Sequence, residues 1–460
     1  MSKVNMFNSD LFPMEGASDK EAEVLRDKIL DSDESLPDSV TGRVWYISAF
    51  SGYDGNSGKA KNQAWKTAFA IDENADKIKA GDAVLFEREG VYRGTFRTKS
   101  GVFYGAYGNG YKPCLYGSDR SFHREIDWKM IGENLWMCTY KFSSDVGVVV
   151  FNHGDLVGFK RHSKSDLSRP GDFWCDPEDN FRLYVYLDEE PWVYPSIEIG
   201  LNRYIIGVYD NSENVIIDNL CIRYTGSHAI AMADCPKNIT VKNCEIGFVG
   251  GSYIGSAILG QYTRFGNAIE FYGQCENILI EDNWLYQVYD SGVTFQGGGS
   301  YVSKNLTIRN NLIEYCGMGS VEYWLWYDKS KGDYCYADNV LIENNVMRFA
   351  GYCWGGEQRP DKVSAHILSN GPNHNHIKNY VIRGNTFDQS TQDLVEITSL
   401  DGVYPSLEGN TYIQKEGLRL GSFADKRDIL FDTDVAKMIK KEWGDRKANV
   451  VYHKSETNEE

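Results

Sequence analysis

Six segments that open on asparagine share one apolar pattern: NVIIDNLCI from Asn214, NITVKNCEI from Asn238, NILIEDNWL from Asn277, NLTIRNNLI from Asn305, NVLIENNVM from Asn339 and NYVIRGNTF from Asn379. In each, the second, fourth and ninth positions are apolar, as at Ile278, Ile280 and Leu285. Alternation of that kind is the period of a strand with one buried face. The seventh positions are Leu220, Cys244, Asn283, Asn311, Asn345 and Asn385, and Asn410 extends the column. An asparagine that recurs once per turn can pair its amide with those above and below, which satisfies buried turn backbone. Segment starts lie roughly 24 to 40 residues apart, the range of a solenoid whose repeats stack on one another. The irregular surplus is expected in loops on one side.

Each turn predicts a second strand downstream: HAIAMAD, NAIEFYG, SGVTFQG, SVEYWLW, SAHILSN and DLVEITS. Matching their inward apolar pairs, among them Val293/Phe295, Val321/Tyr323 and Ala365/Ile367, leaves an outward column of Ala231, Glu270, Thr294, Glu322, His366 and Glu396. In a parallel solenoid these stand one above another at about 4.8 Å per rung. Stacked glutamates repel unless something uses them. Glutamate is common on plain solvated faces. Here, however, the flanking outward residues are Tyr272, Gln296, Trp324 and Trp326. Exposed aromatics beside carboxylates suit the apolar faces of sugar rings. The stretch 264–326 therefore reads as the wall that carries the chemistry.

The asparagine-led repeat over 214–412 resembles the right-handed parallel β-helix of the pectate-lyase-like superfamily. Ahead of it, 1–43 reads as an arm and a helix, with Ser18 and Glu21 forming a capping box and Ala22, Leu25 and Ile29 an apolar stripe. Residues 44–118 alternate short strands with glycine turns and read as the first coils, with AWKTAFAIDENADKI as a helix over their open end. Between 119 and 207 the repeat gives way to hairpin-linked strands, expected as a small inserted β-sandwich whose core takes Trp128, Trp136, Trp174 and Trp192. The main β-helix with its catalytic face spans 208–420. A C-terminal helix and tail fill 421–460, the helix marked by Val435, Met438, Ile439 and Trp443. The expected class is all-β: a parallel β-helix with an inserted sandwich and short capping helices. This arrangement is similar to that of β-helix glycoside hydrolases, including a β-xylosidase family, that carry such an insert beside the active site.

Glycosidic cleavage needs a protonated carboxyl near the leaving oxygen and a second carboxylate for water or the anomeric carbon. Glu270 and Glu322 stand two rungs apart with Thr294 between, about 9.6 Å at the backbone, near the wider spacing of inverting enzymes. Which glutamate is acid and which is base stays open. Asp290, at the turn entering the Thr294 strand, is a third catalytic candidate, with an Asx-turn as its plain alternative. His366, read in register above Glu322 and facing outward, joins Arg359, Arg264, Tyr272, Thr294, Gln296, Trp324 and Glu396 as substrate-binding candidates. His374 and His376 lack any matching cluster, so no metal or cofactor is expected.

Three readings follow. The first is a glycosidase, exo-acting on short saccharides because long loops at consecutive rungs make a pocket. The second is a polysaccharide lyase on uronate-containing glycans, with Lys362, Arg359 or His366 as base. The third is a non-catalytic glycan-binding β-helix. The net charge of −17, from 48 basic and 65 acidic residues, comes with no basic cluster and argues against nucleic acid and anionic membrane as partners. It also weighs against a strongly polyanionic substrate, unless a local basic groove overrides it. Ten cysteines occur without a CxxC pair, and the opening residues lack a signal-peptide core, so buried thiols and a cytoplasmic location are expected.

Overall fold

The computed structural model describes residues 14–33, 36–326, 328–369, 377–399, 402–424 and 426–453. Its body is a right-handed parallel β-helix of three sheets, each with ten strands among the described residues. One coil shows the plan. Glu276–Glu281 lies in the first sheet, Trp284–Val288 in the second and Ser291–Gly298 in the third. The next coil repeats it with Tyr301–Arg309, Leu312–Cys316 and Gly319–Trp326. Pairing is parallel and in register, with Ile278 beside Leu306 and Leu306 beside Val340. The inward residues of all three sheets form one continuous apolar core. Within it Phe271, Phe295 and Tyr323 stack nearly flat, at 4.9 and 5.0 Å between ring centroids. Rings at rung spacing gain contact on both faces.

Two asparagine ladders hold the turns. In the buried one, Asn283 donates Nδ2 to Oδ1 of Asn311 at 3.0 Å, Asn311 to Asn345 at 2.9 Å, Asn345 to Asn385 at 2.9 Å, and Asn385 to Asn410 at 3.1 Å. Each oxygen also accepts the backbone N–H of the asparagine before it, as Asn311 does from Asn283 at 3.0 Å. The aligned amides end on Asp445, a buried carboxylate that accepts from Asn410 Nδ2 at 3.1 Å. A negative charge thus sits at the donor end of the row. The second ladder is exposed and donates the other way, Asn238 to Asn214 at 2.8 Å and Asn277 to Asn238 at 2.7 Å. Its members sit at positive φ, 58° at Asn214 and 55° at Asn277, which asparagine tolerates better than other side chains.

Helix α1, Asp19–Leu30, lies lengthwise along the outer face of the second sheet. Arg26 reaches Glu314 at 2.7 Å, and Lys28 reaches Asp282 at 2.6 Å. The capping box does not form. The Ser18 hydroxyl instead donates to Asp388 at 2.6 Å, while Glu21 accepts from Thr386 at 3.1 Å. Docking onto buried acceptors of the sheet replaces the local cap. At the C-terminal end α2, Val435–Lys441, puts Val435 and Ile439 into the core, followed by Trp443.

Between the early coils and the main stack, strands from Trp128–Gly132 to Ile197–Leu201, antiparallel except where Phe159–Lys160 pairs with Asp172–Asp176, form a five-stranded and a three-stranded sheet around Trp128, Trp136, Val149, Phe173 and Ile199. Trp174 is only half-buried and stacks on Tyr184, and Trp192 is exposed, so the expected tryptophan core holds two of the four. The insert touches the β-helix backbone to backbone. A Cβ on Gly147 would lie 2.5 Å from Gly226 Cα, so only glycine permits that approach.

Candidate active site

The outer face of the third sheet carries the acidic column, and the ladder settles its register. Ala231 pairs with Glu270, Glu270 with Thr294, Thr294 with Glu322, Glu322 with Leu368 and Leu368 with Glu396. His366 is therefore not in the column. It lies two residues earlier on its strand, beside Ser320, whose hydroxyl is 3.0 Å from Nδ1. The ring is fully buried at the corner between second and third sheets, stacked on Phe387 and bonded through Nε2 to the Gln389 carbonyl at 3.1 Å. Burial pushes it down to about 3. The expectation that His366 faces a substrate and tunes Glu322 is corrected: the inward pair on that strand is Ile367 and Ser369, not Ala365 and Ile367.

Neither glutamate is on a solvated face. Glu322 is 2% exposed and Glu270 5%. Glu322 Oε2 accepts from Thr294 Oγ1 at 3.1 Å, Ser291 Oγ at 3.2 Å and Gln296 Nε2 at 3.4 Å. Its Oε1 has no protein donor among the described residues. Burial pushes this carboxyl up to about 7; the charge of Asp290 adds to the rise, while the two hydroxyls and Arg359 oppose it. Glu270 Oε2 accepts Asn267 Nδ2 at 2.7 Å. Burial lifts Glu270 well above the usual carboxylate range, helped by Glu322 and Asp290 and opposed by Asn267.

A column three residues upstream supports these carboxyls: His228, Asn267 and Ser291. The Asn267 N–H donates to His228 Nδ1 at 3.1 Å, and the Ser291 N–H to Asn267 Oδ1 at 2.9 Å. The first bond assigns the His228 proton to Nε2. Nδ1 is 3.7 Å from Glu270 Oε2, and burial pushes the ring down to about 3. The imidazole is therefore neutral, with its Nδ1 lone pair taken by the Asn267 N–H beside the Glu270 carboxyl. His228 and Asn267 open the strand segments that carry the column, and only the stacking of those segments reveals that they support it.

Asp290 accepts the Gly266 N–H on Oδ2 at 2.8 Å and pairs through Oδ1 with Arg359. Burial raises its pKa, against Arg359 and the Gly266 bond. Arg359 also holds Asp361 at 2.8 Å. Beyond this pair opens a cavity of about 570 Å³ walled by Phe159 and His162 of the insert, by Tyr262 and Arg264, and by 358–361. Downstream of Glu322 the same strand exposes Trp324 (39%) and Trp326 (46%), with Tyr272 (55%) two rungs away. Trp326 lies over Gly298, where a Cβ would collide with the indole. Glu396 is set apart. Two rungs past Glu322, it shares a smaller cavity of about 240 Å³ with Asp393 and Arg419, and burial and Asp393 raise it to about 7. His374 and His376 lie outside the described residues.

No protein-family model and no curated protein sequence matches the chain. Among solved structures it is similar to a GH136 lacto-N-biosidase from Eubacterium ramulus, with 13% identity over 90% of this chain and 68% of that one and a TM-score of 0.43. It is also similar to XylC in complex with xylose (14% identity, 89% and 82% covered, TM-score 0.42). A third is an alginate lyase from a Paenibacillus strain (11% identity, 76% and 87% covered, TM-score 0.39). Likeness at this level carries no argument about chemistry, which rests on the geometry above.

Proposed function

We propose that the chain is a glycoside hydrolase, exo-acting on oligosaccharides, with Glu270 as general acid and Glu322 as general base. One observation carries the reading: two buried carboxyls stand two rungs apart in one outward column, Glu322 with three donors and Glu270 with a single one, both lifted above the usual carboxylate range by burial. Environments that push two carboxyls apart in this way divide acid from base. The separation, about 9.6 Å at the backbone, suits a water between them and inversion of the anomeric centre. Trp324, Trp326 and Tyr272 offer ring-stacking surfaces beside the carboxyls. The cavity walled by the insert supports binding a chain end rather than an open groove. Ten unbridged cysteines, nine of them buried, support a reducing compartment.

The three side chains read from the sequence as lyase bases are engaged elsewhere. His366 is inside the fold, Arg359 lies between Asp290 and Asp361, and Lys362 Nζ donates to the carbonyls of Gly356 at 3.0 Å and Glu357 at 2.6 Å. A non-catalytic glycan binder has no use for two glutamates buried at the expense of their charge. A panel of aryl glycosides and oligosaccharides, read for released product and for the absorbance of unsaturated uronates, tests the proposal. Glycoside turnover without that absorbance is expected. Unsaturated product, or binding without turnover across the panel, would overturn it.

A further inference from the structure

The cations on the wall of the 570 Å³ cavity are not equally neutralised. Lys160 reaches both oxygens of Asp145, at 2.7 and 2.6 Å. Arg359 is paired with Asp290 and Asp361. Arg264 has no carboxylate within ion-pair distance among the described residues. It directs Nε to the Gly251 carbonyl at 2.6 Å, Nη2 to that of Gly147 at 3.2 Å and Nη1 to Gln358 Oε1 at 2.6 Å, and lies over the Tyr289 ring at 4.4 Å. Three of the five guanidinium N–H groups are thereby fixed on neutral acceptors. The group is rigidly aimed, half-buried and without a counter-ion in contact among the described residues, which is costly unless a ligand supplies one. Asp290 and Asp361 together outweigh Arg359 by one charge, but both are turned onto Arg359, and neither is within ion-pair distance of Arg264.

We infer that this cavity seats the carboxylate of a uronic acid residue against Arg264, beside the bond that Glu322 addresses. The planar fork of a guanidinium matches a carboxylate. A single cationic subsite in a chain of charge −17 selects a short glycan with one acidic sugar at that place, not a long polyanion. Asp290 links the two regions, being bonded to Arg359 on the cavity wall and acting on the Glu322 carboxyl. The inference rests on the hydrolase reading only for what is cleaved next door; the subsite itself is a matter of binding.

Calorimetric titration of the full chain with glucuronic and galacturonic acid, each beside its methyl ester and its neutral hexose, tests it. At least one acid should bind about tenfold or more tighter than its ester, with the difference shrinking in high salt. Arg264→Leu should abolish that preference and Arg264→Lys should keep part of it. The ester comparison needs no variant, so a misfolded Arg264→Leu protein does not cloud the result. No acid-over-ester preference in either pair, including no binding of any of them, overturns the inference. A protein that cleaves neutral glycosides and ignores uronates would keep the hydrolase reading and lose this one. A Glu322→Gln variant that binds uronate, in a protein that cleaves nothing, would do the reverse.

Discussion

Asn267 donates its side-chain amide to Glu270 at 2.7 Å and is that carboxyl's one protein donor among the described residues, while the Asn267 oxygen is fixed by the Ser291 N–H. Glu322, two rungs on, has three donors. The charge of Glu270 is therefore less supported than that of Glu322. That difference is the basis on which the proposed acid and base are told apart in one column of like residues.

The pH dependence of kcat/KM should be bell-shaped. Activity should rise through about 7 as Glu322 ionises, and fall at higher pH as Glu270 loses its proton. A donor to the charged form lowers a pKa, so Asn267→Ala should raise that of Glu270. The alkaline limb should move to higher pH while the acid limb stays. An acid limb that moves with it, or an alkaline limb that moves down, would contradict the assignment.

Glu322→Gln should lower turnover about 10²–10⁴-fold while retaining the fold, because the isosteric amide still fits among Thr294, Ser291 and Gln296. Stability should respond with a sign. The folded pKa lies above the unfolded value, so the carboxyl favours the fold at low pH and loses that contribution as pH rises from 4.5 through about 7. The neutral amide escapes this loss. At pH 8 the variant should be more stable than the parent by roughly 1–3 kcal/mol, and at pH 4 nearly equal to it. Thermal unfolding at the two pH values checks both parts.

The first product should carry the inverted anomeric configuration, since Glu270 and Glu322 leave room for a water. Proton NMR of the nascent sugar decides it. A retained anomer would shift the chemistry to Asp290 and Glu322 through a covalent intermediate.

Asp445→Ala should destabilise the chain by about 2–4 kcal/mol, because it strands the buried donors of Gly409, Asn410 and Tyr412. Asn305→Gly, which keeps the positive φ of 57° without strain in the exposed ladder where water can replace the lost amide bonds, should cost less than about 1 kcal/mol. Chemical denaturation of the two variants compares them. Equal losses would mean that burial of the inner ladder adds nothing.

The sequence by itself determined the solenoid, its rung register over most of the third sheet and the outward direction of Glu270, Thr294 and Glu322. Strand alternation is local, and a parallel stack with one residue in per residue out copies that period from coil to coil. It failed at His366, because 350–364 enters the strand through an insertion and the apolar pair Ala365/Ile367 fits the pattern better than Ile367/Ser369, which the neighbouring strands select. Only the tertiary structure decided that the glutamates are buried rather than solvated, that Ser18 serves Asp388 rather than its own helix, and that Arg359, 69 residues from Asp290, sits against it. Each depends on which distant segment covers the sheet. Desolvation by chain far away in sequence, not the local pattern, lifts a row of carboxyls above their usual range.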